Sequence, residues 1–227
     1  LNKVYRMPIE PLPSANIFFP NYFAHYFLQS LEAVMGKNGI AGALKAANLA
    51  HLINHYPLDN HERGFDTDDF SMLNAGLETL IGRRLGRGFA RRAGRHMLEN
   101  HFAAITNTQP IILTALQAVP LNIRLKLIMP RITQHIVGQQ SASTTTIDDD
   151  GRYFVVNVEK CPVCWGRKAN NSRGTGAYEP ICAAIVGMYE GALYYISKGK
   201  KYRVLETACL AQGATHCRFQ IEKKPFA

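Results

Sequence analysis

The chain has 227 residues, of which 47% are hydrophobic and 19% charged, and it carries a formal charge of +9. This is a globular composition, sufficient for one generous domain or two small ones. It excludes a disordered chain, and no apolar run approaches the roughly 20 residues of a membrane span. Lys and Arg outnumber Asp and Glu by 26 to 17, an excess that favours nucleic acid, acidic lipid or acidic small molecules without choosing among them.

The opening Leu1-Asn2-Lys3-Val4-Tyr5-Arg6 has no apolar stretch after its charges, so no signal peptide is expected there. Asn21–Met35 carries Tyr22, Phe23, Tyr26, Phe27, Leu31 and Val34 at helical spacing, and Gly36-Lys37-Asn38-Gly39 reads as its break. Gly42–Ile53 is a second helical stretch, and the polar His55–Asp66 reads as a loop. Asp68-Asp69 opens a third helix, with acids near its positive end, that runs to about His101 despite Gly82, Gly86, Gly88 and Gly94. Pro110–Ala118 and Pro120–Val137 are further helices, with a kink or break at Pro130.

Near Ser141 the pattern changes. Ser143–Ile147 and Tyr153–Glu159 are β-rich and flank Asp148-Asp149-Asp150-Gly151, a hairpin turn. Trp165–Pro180, rich in Gly, Asn and Ser, reads as a loop. Ile181–Ile196 is one apolar helix with Gly187 and Gly191 on a common face. Tyr202–Leu210 and Thr215–Glu222 are strands joined through Gln212-Gly213-Ala214. Strands paired through hairpins make an antiparallel sheet, so the expected class is α+β. The expected layout is a helical part, 1–140, packed on two C-terminal β-hairpins with an intervening helix, 141–227, as one integrated domain.

All five cysteines lie in the last third: Cys161, Cys164, Cys182, Cys209 and Cys217. An odd count packed into one region reads as reduced thiols, metal ligands or redox groups, and a reducing cytoplasm is the expected compartment. Cys209 and Cys217 flank a hairpin turn that returns one thiol beside the other. Glu206 lies three residues before Cys209, and Cys182 is available near the start of the apolar helix. Three thiolates and a carboxylate suit tetrahedral zinc. The alternative is that Cys182 and Cys209 are buried small hydrophobes. Cys161-Pro162-Val163-Cys164 is a C-x2-C pair that competes for the same role, as an all-thiolate site of Cys161, Cys164, Cys209 and Cys217, or acts in redox chemistry, although the βαβ setting of a thioredoxin-like motif is missing. His216 is a substitute ligand or an exposed turn residue.

Cys182-x4-Gly187-x3-Gly191, then Glu206-x2-Cys209-x7-Cys217 and Arg218-Phe219-Gln220-Ile221, resembles the 4-vinyl reductase (4VR) domain family. Cys161-Pro-Val-Cys164-Trp-Gly strengthens the likeness, which covers about residues 140–222. The resemblance implies a fold similar to the TRAPP-type trafficking subunits and to the aromatic-effector sensor domains of bacterial regulators, usually dimeric. It also implies a structural zinc on Cys182, Glu206, Cys209 and Cys217. Such a closed four-ligand site argues against zinc hydrolysis. The family's bound molecule sits in an apolar pocket between helices and sheet. The candidate walls here are Phe89, Phe102, Tyr153, Trp165, Tyr178 and Tyr189, and the candidate anchors are His96 and His101.

Arg83, Arg87, Arg91 and Arg95 form a stripe at a spacing of four, with Arg84 and Arg92 beside it. The stripe reads as an anion site or as a solvated face answered by carboxylates elsewhere in the fold. The aromatic-and-basic interleaving of an RNA-binding sheet is absent, which weighs against a zinc-dependent nucleic-acid binder. No nucleotide or nucleophile motif is present, which weighs against a vinyl-group reductase or its accessory subunit. The expected function is therefore a zinc-stabilised binding domain for a hydrophobic or aromatic small molecule. It would act as a sensor or carrier, with a tetrapyrrole intermediate among the candidate ligands and a second copy or another protein as partner.

Overall fold

The structure, a computed structural model, describes residues 17–108, 118–138, 145–170 and 179–226. The first element is a short ribbon, in which β1 (Phe18–Pro20) pairs antiparallel with β2 (Arg63–Asp66). This ribbon corrects the reading of 55–66 as loop throughout. Neither strand exceeds four residues, too few to show an alternating pattern.

Helix α1 spans Asn21–Ala46. Gly36, at φ 76° and ψ 165°, kinks it without opening a loop, so the expected break at Gly36–Gly39 is a bend. The second stretch accordingly ends at Ala46, and Ala50–Leu52 is a separate 3₁₀ turn. Helix α2 (Thr67–Ile81) begins where the Asp66 carboxylate accepts the Asp68 N–H at 2.9 Å, a side-chain N-cap. It ends at Gly82, whose φ of 87° is open to glycine at little cost. The chain restarts as α3 (Arg83–Thr108), so the expected single third helix is two. Most of Pro110–Ala118 lies outside the described residues.

Helix α4 (Leu121–Thr133) contains Pro130 and passes directly into a π-helical turn at Gln134–Gly138. The wider turn follows the proline, which withholds one backbone donor. Strands β3 (Thr145–Asp149) and β4 (Tyr153–Val158) form the first hairpin. Trp165–Asn170 is a short helix, α5, where a loop is expected; Tyr178 lies outside the described residues. Helix α6 (Ala183–Ile196) precedes β5 (Val204–Ala208) and β6 (Cys217–Glu222).

The main sheet has the order β3-β4-β6-β5 and is antiparallel throughout, confirming the α+β reading and its two C-terminal hairpins. Its inner face presents Phe154, Val156, Val158, Cys217, Phe219 and Ile221, all buried. Helix α6 packs there, with the Tyr189 and Phe219 ring centres 6.0 Å apart. On its other side α6 lies hard against α3. A Cβ on Gly187 or Gly191 would overlap the carbonyl oxygens of Arg91 and Arg95, so this approach is open only to glycine. The buried apolar cluster runs from Phe19 to Ile221 and includes all five cysteines. Among the described residues no helix is long and apolar enough to cross a membrane.

Candidate functional site

Four segments meet at one buried point. Cys182 caps the N-terminus of α6, Cys209 follows β5, and Cys217 opens β6 opposite Val158. Cys161 and Cys164 occupy the turn between β4 and α5. There the N–H groups of Cys164 and Trp165 both donate to the Cys161 carbonyl, at 3.3 and 2.8 Å. This turn is tied to the N-terminal helices by the Ser71 hydroxyl of α2, which donates to the Val163 carbonyl at 2.8 Å. All five thiols are reduced and fully buried.

The sulfurs form a continuous cluster. Cys182 Sγ lies 3.8 Å from Cys217 Sγ and 4.0 Å from Cys209 Sγ, and Cys209 and Cys217 are also 4.0 Å apart. Cys161 Sγ is 3.3 Å from Cys182 Sγ, and Cys164 Sγ is 3.3 Å from Cys217 Sγ. Glu206 reaches in from β5, where its Oε2 accepts the Cys182 N–H at 2.7 Å. Its Oε1 is buried without a hydrogen-bond partner among the described residues. Two groups of four donors result, Cys161/Cys164/Cys182/Cys217 and Cys182/Glu206/Cys209/Cys217, each within 4.8 Å. The all-thiolate competitor expected from the sequence, Cys161, Cys164, Cys209 and Cys217, is not one of these groups; the fold sets Cys161 and Cys164 beside Cys182 and Cys217 and brings both groups to one place.

Burial holds the Cys161 thiol up at about 12 and that of Cys182 well above the usual range. Neighbouring thiols, Cys164 first, donate to Cys209 and hold it far below its ordinary value. Burial, reinforced by the negative charge of Cys209, raises Glu206 to about 8. Burial thus keeps most of these donors protonated, and a bound cation reverses this by deprotonating the thiols that it coordinates. The donors fit zinc. A tetrahedron with Zn–S bonds of about 2.3 Å has S···S edges of about 3.8 Å, which the Cys182–Cys209–Cys217 triangle matches. The Glu206 carboxylate supplies a fourth donor.

The other singled-out residues are dispersed. His101 belongs to an aromatic cluster that the sequence does not reveal. It stacks on His135 at 4.5 Å and on Tyr22 at 5.9 Å, with Tyr26 and Phe102 edge-on at 6.1 and 5.9 Å. Tyr22 also stacks on His135, and His61 stands edge-on to Tyr22. Burial lowers His101 and takes His135 down to about 4, so the His135 ring is neutral at pH 7. His135 Nε2 is buried and has no hydrogen-bond partner among the described residues. Tyr22, Tyr26, His61 and His135 escape sequence reasoning because they come from three separate segments. The one local signal is the histidine that follows Pro130 by five positions.

His96 instead faces α1, sharing a hydrogen bond with the Ser30 hydroxyl at 3.2 Å. Phe102 also stacks on Tyr195 at 5.8 Å. Tyr189 is fully buried and donates to Thr133 Oγ1 at 3.2 Å. Phe89 sits under the Arg92 guanidinium on α3, and Tyr153 under that of Arg152 at the hairpin end of β4. Trp165 packs beside the C-x2-C turn, with the Lys160 ammonium 5.9 Å above its ring.

The Arg stripe is largely answered by carboxylates within the chain. Arg87 pairs with Glu78 at 3.2 Å and Glu179 at 2.9 Å. Arg91 and Arg95 both bind the buried Glu190. Arg83 lies exposed at the start of α3.

Neither a known protein family nor a curated protein matches the chain in sequence. Solved structures do resemble it. A single-residue mutant of an H-NOX protein from K. algicida, described as Fe(II) unliganded, aligns over 92% of this chain and 97% of its own, at 10% identity and a TM-score of 0.52. The phenol-responsive sensory domain of the transcription activator PoxR, solved with phenol, aligns over 82% and 88% at 18% identity, with a TM-score of 0.48. A trafficking protein particle complex subunit 3 from Naegleria fowleri, covalently bound to palmitic acid, aligns over 71% and 95% at 10% identity, with a TM-score of 0.47. The chain thus shares the overall fold of the H-NOX domains.

Proposed function

We propose that this protein is a binding domain of the 4VR type for a hydrophobic or aromatic small molecule. In this reading one structural zinc, held by Cys182, Glu206, Cys209 and Cys217, staples the last hairpin to α6. The observation that carries the ligand reading is the stacked His101–His135 pair beside Tyr22. It combines aromatic walls with a buried ring nitrogen that has no partner among the described residues, the combination that orients an apolar ligand bearing one polar group. A fold shared with ligand-binding domains is compatible with this but assigns no ligand. The protein would act as a sensor or carrier, working as a homodimer or through another protein. A tetrapyrrole is the less favoured ligand, because Arg87, Arg91 and Arg95 already hold carboxylates of the chain and leave Arg83 for a propionate.

The test is calorimetric titration of the zinc-loaded protein with simple phenols and with porphyrins. Saturable phenol binding, weakened tenfold or more in His135→Phe and in His101→Phe, is the expected result. Saturable binding of porphyrins alone would replace the ligand class, and no binding of either would remove the reading.

A further inference from the structure

The two donor sets share two members, Cys182 and Cys217, and each keeps two of its own. Cys161 and Cys164 belong to one set; Glu206 and Cys209 belong to the other. Six donors divided in this way describe two tetrahedra joined along an edge. The close contacts follow the same plan. Cys161 touches Cys182 and Cys164 touches Cys217, each at 3.3 Å, so each thiol of the C-x2-C turn is seated on one of the two shared sulfurs. The shared pair is itself 3.8 Å apart, the length of a tetrahedral edge around zinc.

We propose that this cluster is a binuclear, thiolate-bridged zinc centre. One zinc is held by Cys182, Glu206, Cys209 and Cys217. The second is held by Cys161, Cys164, Cys182 and Cys217, with the Cys182 and Cys217 sulfurs bridging. The proposal rests on the zinc reading of the first set and adds the second ion.

Charge does not oppose the second ion. With the first ion bound, three thiolates and one carboxylate carry four negative charges against its two positive, a net of two negative in a fully buried pocket. The second ion ionises Cys161 and Cys164, whose protons pass to buffer, and leaves that net charge unchanged. Packing does not require these sulfurs, since a fully buried position with no metal to hold is filled equally well by Ala or Val. The turn is also built beforehand: two backbone N–H groups fold onto the Cys161 carbonyl, and Ser71 fastens Val163 from α2. Both thiols are therefore aimed before any ion arrives, which lowers the entropic cost of binding.

The experiment is the zinc content of the full chain by native mass spectrometry, together with electron paramagnetic resonance of the cobalt-substituted protein. Two zinc ions per chain are expected, falling to one in Cys161→Ser/Cys164→Ser, whose circular dichroism should match the parent. With Co²⁺ as probe, the signal per ion should drop as the second equivalent binds, because bridging sulfurs couple the two spins. The cobalt titration uses the unaltered protein and stands even if the variant misfolds. One zinc in the parent, kept in the double variant, would overturn the binuclear centre and leave the single-zinc reading intact. No zinc in either would remove both. Two zinc ions kept in the double variant, or two cobalt ions with additive signals, would place the second metal elsewhere.

Discussion

One oxygen of Glu206 accepts the backbone N–H of Cys182 at 2.7 Å, while the other is buried with no hydrogen-bond partner among the described residues. A single carboxylate thus both fixes the start of α6 and lies within 4.8 Å of three sulfurs. A buried acceptor left unpaired costs roughly 1–3 kcal/mol. That cost is removed if the oxygen meets a cation.

Glu206→Gln should therefore keep the fold and lose metal affinity. The amide still accepts from Cys182 but brings no charge, and we expect zinc to bind at least about 10- to 100-fold more weakly, the range seen when a group that merely supports a ligand is altered. Competition with a chromophoric chelator measures this. An unchanged affinity would mean that thiolates alone hold the ion.

Removing the metal should also cost stability, because the site joins four segments distant in sequence. A loss of about 3 kcal/mol or more is expected on treatment with a strong chelator, or in Cys182→Ser. For a chain of this size that is a fall in Tm of roughly 6–12 °C. Differential scanning calorimetry with and without chelator reads it directly, and a Tm that does not move would argue that the thiols are only packed.

The α3–α6 contact predicts opposite outcomes for two glycines. Gly187→Ala forces a methyl group into the Arg91 carbonyl and should destabilise by about 2 kcal/mol or more, the cost of overpacking against backbone. Gly88→Ala on the exposed face of α3 meets open space and should stabilise by up to about 1 kcal/mol through helix propensity. Urea denaturation of the pair tests the geometry, and equal effects would contradict it.

Glu190 is 9% exposed and answers two guanidinium groups that are each 46% exposed. Glu190→Gln should cost about 1–2 kcal/mol: the charge-assisted bonds are lost, but water recovers part of the hydration of both arginines. The measurement is the urea midpoint at low and at high salt. A loss that persists undiminished in high salt would show that packing, not charge, is what Glu190 contributes.

His135 makes a pH prediction. Burial, and next the neighbouring His101, take it to about 4, below the ordinary value of 6.5. The unfolded chain therefore binds this proton first. The contribution to stability is complete above about pH 6.5, is lost as pH falls toward 4, and levels off below that. At 1.36 kcal/mol per unit this amounts to at most about 3 kcal/mol. His135→Phe should flatten the stability profile between pH 6.5 and 4, and a profile with unchanged slope would mean that the ring is hydrated.

Elements with a long pattern of their own are legible from residue spacing. Helix α6 and the two C-terminal hairpins stand close to where alternation and apolar period put them. Three features hide for physical reasons. The β1–β2 ribbon joins strands of at most four residues across more than forty positions. The third helix divides at Gly82, whose backbone φ cannot be read from its identity. The Arg stripe looks unanswered because Glu190 lies 99 positions downstream of Arg91.

The sequence by itself determined the α+β class and the thiol-rich donor chemistry. It also identified the Glu206-x2-Cys209-x7-Cys217 hairpin, because a short turn returns its own two ends. Tertiary structure alone decided that Cys161 and Cys164 join Cys182 and Cys217 at the same point, and that His101 finds His135 and Tyr22. Those encounters depend on α6 packing across the sheet and on α6 and α1 packing against α3. Which side chains meet at such a crossing is set by helix orientation and close packing, quantities that no local spacing encodes.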